Sequence, residues 1–141
     1  MDIHGITTLL QVFDMPCSVA FYRDVWGFTI VSTSEPADNF YWELLKLGDA
    51  MLMLNTAYED DERPLSPDPA RVEAHADTIL YFACDSADEV YMHLVAKGWE
   101  TQEPINAYYG MRQVYTKEPD GYELCFQHPV EKPNEGAIAC S

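Results

Sequence analysis

Asp14 to Phe28 reads DMPCSVAFYRDVWGF, Asp85 to Trp99 reads DSADEVYMHLVAKGW, and the likeness of these two stretches decides the fold. Asp14 is a side chain that caps a helix; Pro16 suits the first turn, and Met15, Val19, Tyr22 and Trp26 recur at helical spacing. Gly27 ends the pattern and an aromatic residue, Phe28, follows. In the second stretch Asp85 or Ser86 is the cap, with Ser86 and Glu89 at capping-box spacing. The stripe is Val90, Tyr91, Leu94 and Val95, and Gly98 closes the helix before Trp99. The interval from Asp14 to Gly27 equals that from Asp85 to Gly98, so the chain carries an internal repeat.

Working outward, each helix is preceded by an apolar, β-branched run, Ile6 to Phe13 (ITTLLQVF) and Thr78 to Cys84 (TILYFAC). Three strand-like runs follow each helix: Phe28 to Thr33, Phe40 to Leu47 and Ala50 to Asn55, then Glu100 to Pro104, Tyr109 to Lys117 and Tyr122 to His128. Turn signals separate them at Glu35-Pro36-Ala37-Asp38, Leu47-Gly48-Asp49 and Glu118-Pro119-Asp120-Gly121. The expectation is an α+β fold with two βαβββ modules, about 6–56 and 77–128, in a single domain spanning 1–128. The connector, 57–76, carries three prolines and the acidic run Glu59-Asp60-Asp61-Glu62, a solvated segment able to fold over a cleft. Residues 129–141 show no periodicity and read as a mobile tail.

Composition narrows the function. A chain of 141 residues is one domain's worth, and no apolar run approaches the roughly 20 residues of a membrane span. Met1-Asp2-Ile3-His4-Gly5 lacks the basic-then-apolar pattern of a targeting segment, so the expected location is the cytoplasm. Net charge is -16, with 24 acidic against 8 basic residues, a field that repels nucleic acid and anionic membranes and favours a cationic ligand. Cys17, Cys84, Cys125 and Cys140 form no CxxC pair and read as reduced thiols. Neither a GxSxG elbow, a phosphate-binding glycine loop nor an HExxH helix is present.

The two modules, the helix text from Ser18 to Phe28 and the closing text Tyr109-Gly110-Met111-Arg112 through Glu118-Pro119-Asp120-Gly121-Tyr122-Glu123-Leu124-Cys125-Phe126 resemble the glyoxalase/bleomycin-resistance/dioxygenase (vicinal oxygen chelate) superfamily over roughly Ile6 to His128. The resemblance implies that paired modules curl into a half-open barrel around a cleft, with helices outside and often a homodimer. It also implies a divalent cation held by His and Glu at four positions. Here those positions carry Thr7, Asn55 or its apolar neighbours, Thr78 or Ile79, and Cys125, so no metal and no other cofactor is expected.

Alternation along the last strand separates Tyr122, Leu124, Phe126 and His128 from Glu123, Cys125 and Gln127, the second set facing the cleft. His4, His93 and His128 read as structural, whereas His75 stands at the mouth of the fifth strand, placed to serve as a lone base or ligand. The strands are rich in aromatic residues and methionine, which make walls for a planar ligand, and Glu43 and Arg112 are the charged residues placed to orient one. The expected binding residues are Thr7, Gln11, Trp42, Met53, Asn55, Tyr109, Arg112, Glu123 and Cys125. The expected function is metal-free binding of a planar, cationic small molecule, as in the bleomycin-resistance branch. The competing reading is an enzyme of the superfamily, a glyoxalase-like lyase or isomerase or a dioxygenase, with a non-standard site.

Overall fold

The computed structural model describes residues 1–35, 41–58 and 62–131. The turn from Pro36, the strand start at Phe40, the acidic run Glu59-Asp60-Asp61, Cys140 and the tail from 132 lie outside the described residues. The chain divides into two compact units, Met1–Val72 and Glu73–Ser141.

In the first unit β1 (Thr8–Val12) leads into α1 (Met15–Val19), and β2 (Thr29–Thr33), β3 (Trp42–Leu47) and β4 (Ala50–Thr56) follow. The sheet order is β1-β4-β3-β2, with β1 parallel to β4 and the remaining pairs antiparallel. The Asp14 carboxylate accepts from the Cys17 backbone N–H, capping α1. From Ala20 to Val25 the helix widens into a π-helix, with Trp26 N–H reaching back to the Phe21 carbonyl, before Gly27 ends it at φ 85°. The expected stripe of Met15, Val19, Tyr22 and Trp26 is buried, as are Leu10, Val12, Leu45, Leu52 and Leu54 from the strands. Each such side chain contributes about 1.5–3 kcal/mol of burial.

The second unit repeats the pattern: β5 (Ile79–Ala83), a helix at Ala87–Ala96, β6 (Ile105–Ala107), β7 (Met111–Lys117) and β8 (Glu123–Pro129), in the order β5-β8-β7-β6. Ser86 caps that helix through the Glu89 N–H. The connector forms α2 (Pro69–Ala74) and a 3-10 turn (His75–Asp77), which makes the Ala87–Ala96 helix α3. Two expectations change. The strand expected at Glu100 to Pro104 forms instead at Ile105–Ala107, because proline lacks the N–H a ladder needs. Val95 is half exposed, and the buried α3 residues are Ala87 and Leu94.

Candidate functional site

The second sheet has two unlike faces. Leu80, Phe82, Val114, Leu124 and Phe126 share one side, where β7 and β8 meet α3. The opposite side carries the row Tyr81–Cys125–Tyr115 and, one row along, Ala83–Gln127–Gln113–Ile105. Pairing across strands forces this, since residues in register share a face.

The tyrosine and glutamine side chains of this face form one hydrogen-bonded set. The Tyr81 and Tyr115 hydroxyls lie 3.4 Å apart, and the Tyr115 hydroxyl donates to Gln113 Oε1 at 3.3 Å. Gln113 Nε2 donates to the Tyr109 hydroxyl at 2.7 Å and to Gln127 Oε1 at 2.8 Å. Gln113 and Cys125 are buried, whereas Tyr81 and Tyr109 are 53% and 43% exposed, so a rigid polar floor presents accessible rings. The Cys125 thiol is pushed up by burial against a hydrogen bond from Tyr115 that lowers it. Tyr115 is pushed up first by its bond to Tyr81 and then by burial. Both groups stay protonated at neutral pH, and Cys125 is therefore a wall and not a nucleophile.

Of the expected residues, Tyr109, Glu123 and Cys125 fall on or beside this face. Arg112 does not: its Nε and Nη2 donate to the two Asp88 oxygens of α3, each at 2.8 Å, and Nη1 to Asn106 Oδ1 at 2.9 Å. Alternation along β7 puts it on the helix side with His128, its register partner. His128 Nδ1 accepts from the Ala87 N–H at the start of α3. His75, considered above as a lone base, is tied down: its Nδ1 lies 2.7 Å from the Asp120 carbonyl and its ring stacks on Tyr122 at 4.0 Å. Tyr81, Gln113, Tyr115 and Gln127 were not among the expected binding residues. Their signal was the register itself, since Cys125 fixes which neighbours on β5 and β7 share its side.

The first unit has its own open face. Gln11, Asn55 and Trp42 lie in one row across β1, β4 and β3, with Leu9, Met53 and Leu44 in the next. Asn55 Nδ2 donates to Gln11 Oε1 at 3.2 Å, and exposed Thr7 precedes β1 with the parity of Gln11. Glu43 lies on the other side with Leu45, fully buried, and neither carboxylate oxygen finds a hydrogen-bond partner. Burial pushes its carboxyl up to about 7, against the pull of Arg23. It cannot orient a ligand from there.

A cleft of about 590 Å³ opens beside the tyrosine face, lined by Trp99, Glu100, Thr101, Gln102, Tyr115, Thr116, Lys117 and Glu123. Among the described residues no three His, Cys, Asp or Glu side chains gather where they could hold a metal ion. Thr7, Asn55, Thr78 and a protonated Cys125 are poor donors, so the residues at the implied positions do not fit a divalent cation.

A family model described as Glyoxalase/Bleomycin resistance protein/Dioxygenase superfamily matches residues 5–126. No curated protein matches the chain in sequence. Among solved structures, a glyoxalase/bleomycin resistance protein/dioxygenase from Nocardioides is similar at 21% identity and TM-score 0.69, covering 94% of this chain and 88% of that one. The bleomycin resistance determinant encoded on transposon Tn5 gives 21% and 0.67, covering 90% and 98%. A lactoylglutathione lyase from Agrobacterium tumefaciens gives 21% and 0.64, covering 90% and 94%.

Proposed function

The chain belongs to the glyoxalase/bleomycin resistance protein/dioxygenase superfamily, and from that premise we propose that it is a metal-free binding protein that sequesters a planar small molecule. The reading is carried by the face built from Tyr81, Tyr109 and Tyr115 over Gln113, Gln127 and Cys125. Its rings are accessible for stacking and its amides are already oriented. Binding there is preorganised, which reduces the ordering cost of association. The field of net charge -16 favours a ligand that carries a positive group. The first unit's own open face is proposed as a separate contact surface, with Gln11, Trp42, Met53, Asn55 and Thr7 as its binding residues. Likeness to a bleomycin resistance determinant supports sequestration; likeness to a lactoylglutathione lyase supports an enzyme equally well at the level of fold. The protonated thiol, together with the weak donors Thr7, Asn55 and Thr78 at the positions where the family holds its metal, favours binding without turnover.

We place this activity in the cytoplasm and in a homodimer; the homodimer is supported by Leu9, Met51, Ile79 and Ile105, which leave apolar surface on both open faces. Among the described residues no helix is long and apolar enough to cross a membrane. The test is a thermal-shift screen of planar compounds, followed by mass spectrometry of each hit after incubation. Stabilisation with the compound recovered intact is expected, and a chemically altered compound contradicts the reading.

A further inference from the structure

The cleft beside the tyrosine face exists because β6 is short. Ile105–Ala107 pairs only with Met111 to Gln113, which leaves the β7 edge from Val114 onward without a strand partner. The segment from Trp99 to Gln102 takes that place with isolated bonds: the Gln102 N–H and the Thr101 hydroxyl both donate to the Tyr115 carbonyl, at 3.4 and 2.9 Å. The Trp99 indole N–H donates to Thr116 Oγ1 at 3.1 Å and to the Lys117 carbonyl at 3.3 Å, so its ring is fixed as one wall. About 590 Å³ remains open, in the range of small-molecule sites.

Three ionic side chains line this cleft, Glu100, Glu123 and Lys117. Lys117 and Glu123 are opposite each other in the β7–β8 register, and among the described residues none of the three makes an ion pair. A lysine here is notable in a chain with only 8 basic residues, whose arginines are engaged elsewhere: Arg23 with Asp24, Arg63 with Asp14, Arg71 with the Gln11 carbonyl and Arg112 with Asp88. A purely cationic ligand would leave the ammonium of Lys117 opposed to it, and a purely anionic one would face two carboxylates.

We infer that this cleft takes an amphoteric ligand: a ring-bearing body against Trp99 and Tyr115, an ammonium toward Glu100 and Glu123, and a carboxylate toward Lys117. The inference rests on the reading that this module holds a small molecule, and it specifies the ligand's class. Three probes with one ring separate the charges: L-tryptophan carries both, tryptamine only the ammonium and indole-3-propionate only the carboxylate. Titration of the whole protein, followed by amide and indole N–H resonances at about 150 mM salt, confines electrostatics to roughly 8 Å.

L-tryptophan is expected to bind about fivefold tighter than either single-charge probe, the size of one solvent-accessible ion pair, and to shift the Trp99 indole signal. Lys117→Gln is expected to bring L-tryptophan level with tryptamine, and Glu100→Gln with Glu123→Gln to bring it level with indole-3-propionate. If a single-charge probe binds as tightly as L-tryptophan, the amphoteric assignment is overturned while small-molecule binding stands. If none of the three moves the Trp99 signal, the assignment is overturned, and the screen of planar compounds decides sequestration separately.

Discussion

The hydroxyl of Tyr81 on β5 lies 3.4 Å from that of Tyr115 on β7, with Cys125 of β8 between them in the same cross-strand row. Three strands thus contribute one residue each to this row, of which the thiol is the buried member.

Thiol reactivity follows from that burial. Cys17 is exposed and Cys125 is not, so an alkylating agent at pH 8 is expected to label Cys17 first and Cys125 only as the protein opens. Tyr115→Ala removes the bonded cover and is expected to speed Cys125 labelling by about an order of magnitude, read by peptide mass spectrometry. Equal rates for Cys17 and Cys125 in the parent protein would show the thiol to be accessible.

Glu43 gives a pH dependence with a definite sign. Its carboxyl is raised from 4.5 to about 7 in the folded chain, so between those values the folded state holds a proton that the unfolded state has released. Stability therefore falls as pH rises from about 4.5 to 7 and is level above, a loss on the order of 3 kcal/mol. Glu43→Gln is expected to flatten that segment of the profile and to raise Tm at pH 8 by roughly 5–10 °C. Urea unfolding at pH 5, 6, 7 and 8 checks it, and identical profiles for the two proteins would refute the assignment.

Arg112 separates the two sides of the second sheet. Because it pairs with Asp88 on the helix side, in a solvent-screened ion pair, Arg112→Ala is expected to change stability little and to leave ligand affinity unchanged within twofold. A tenfold loss of affinity, measured calorimetrically with any planar compound found by the screen, would put Arg112 back in the site.

Much of this was legible in the sequence. The cap-to-glycine repeat at Asp14–Gly27 and Asp85–Gly98 marks both helices, and alternation assigns Glu123, Cys125 and Gln127 to one face, because both signals are local. What was missed depends on partners. Glu43 and Arg112 are charged residues on strands, and only the register with Leu54 and His128 shows that they face away from the open side. Tyr81 and Tyr115 become a pair only when β5 and β7 flank β8, a parallel and an antiparallel ladder that no single segment encodes. The π-helix at Ala20–Val25 left no composition signal distinct from an ordinary helix.

Assembly has its own measurement. Light scattering at micromolar concentration is expected to give twice the 16.1 kDa chain mass. The chain mass itself, unchanged up to about 100 μM, would remove the homodimer.

Sequestration is tested most directly by the dissociation of a planar compound found in the screen. The account expects the compound to return unchanged. Replacing Tyr115 or Tyr109 with Ala should speed its release by about 1–3 kcal/mol, with association altered mainly by salt. Stopped-flow release with mass spectrometry of the released compound reads both. Intact compound with a faster off-rate in Tyr115→Ala is the predicted result; a product of altered mass, or an off-rate indifferent to both tyrosines, would contradict it.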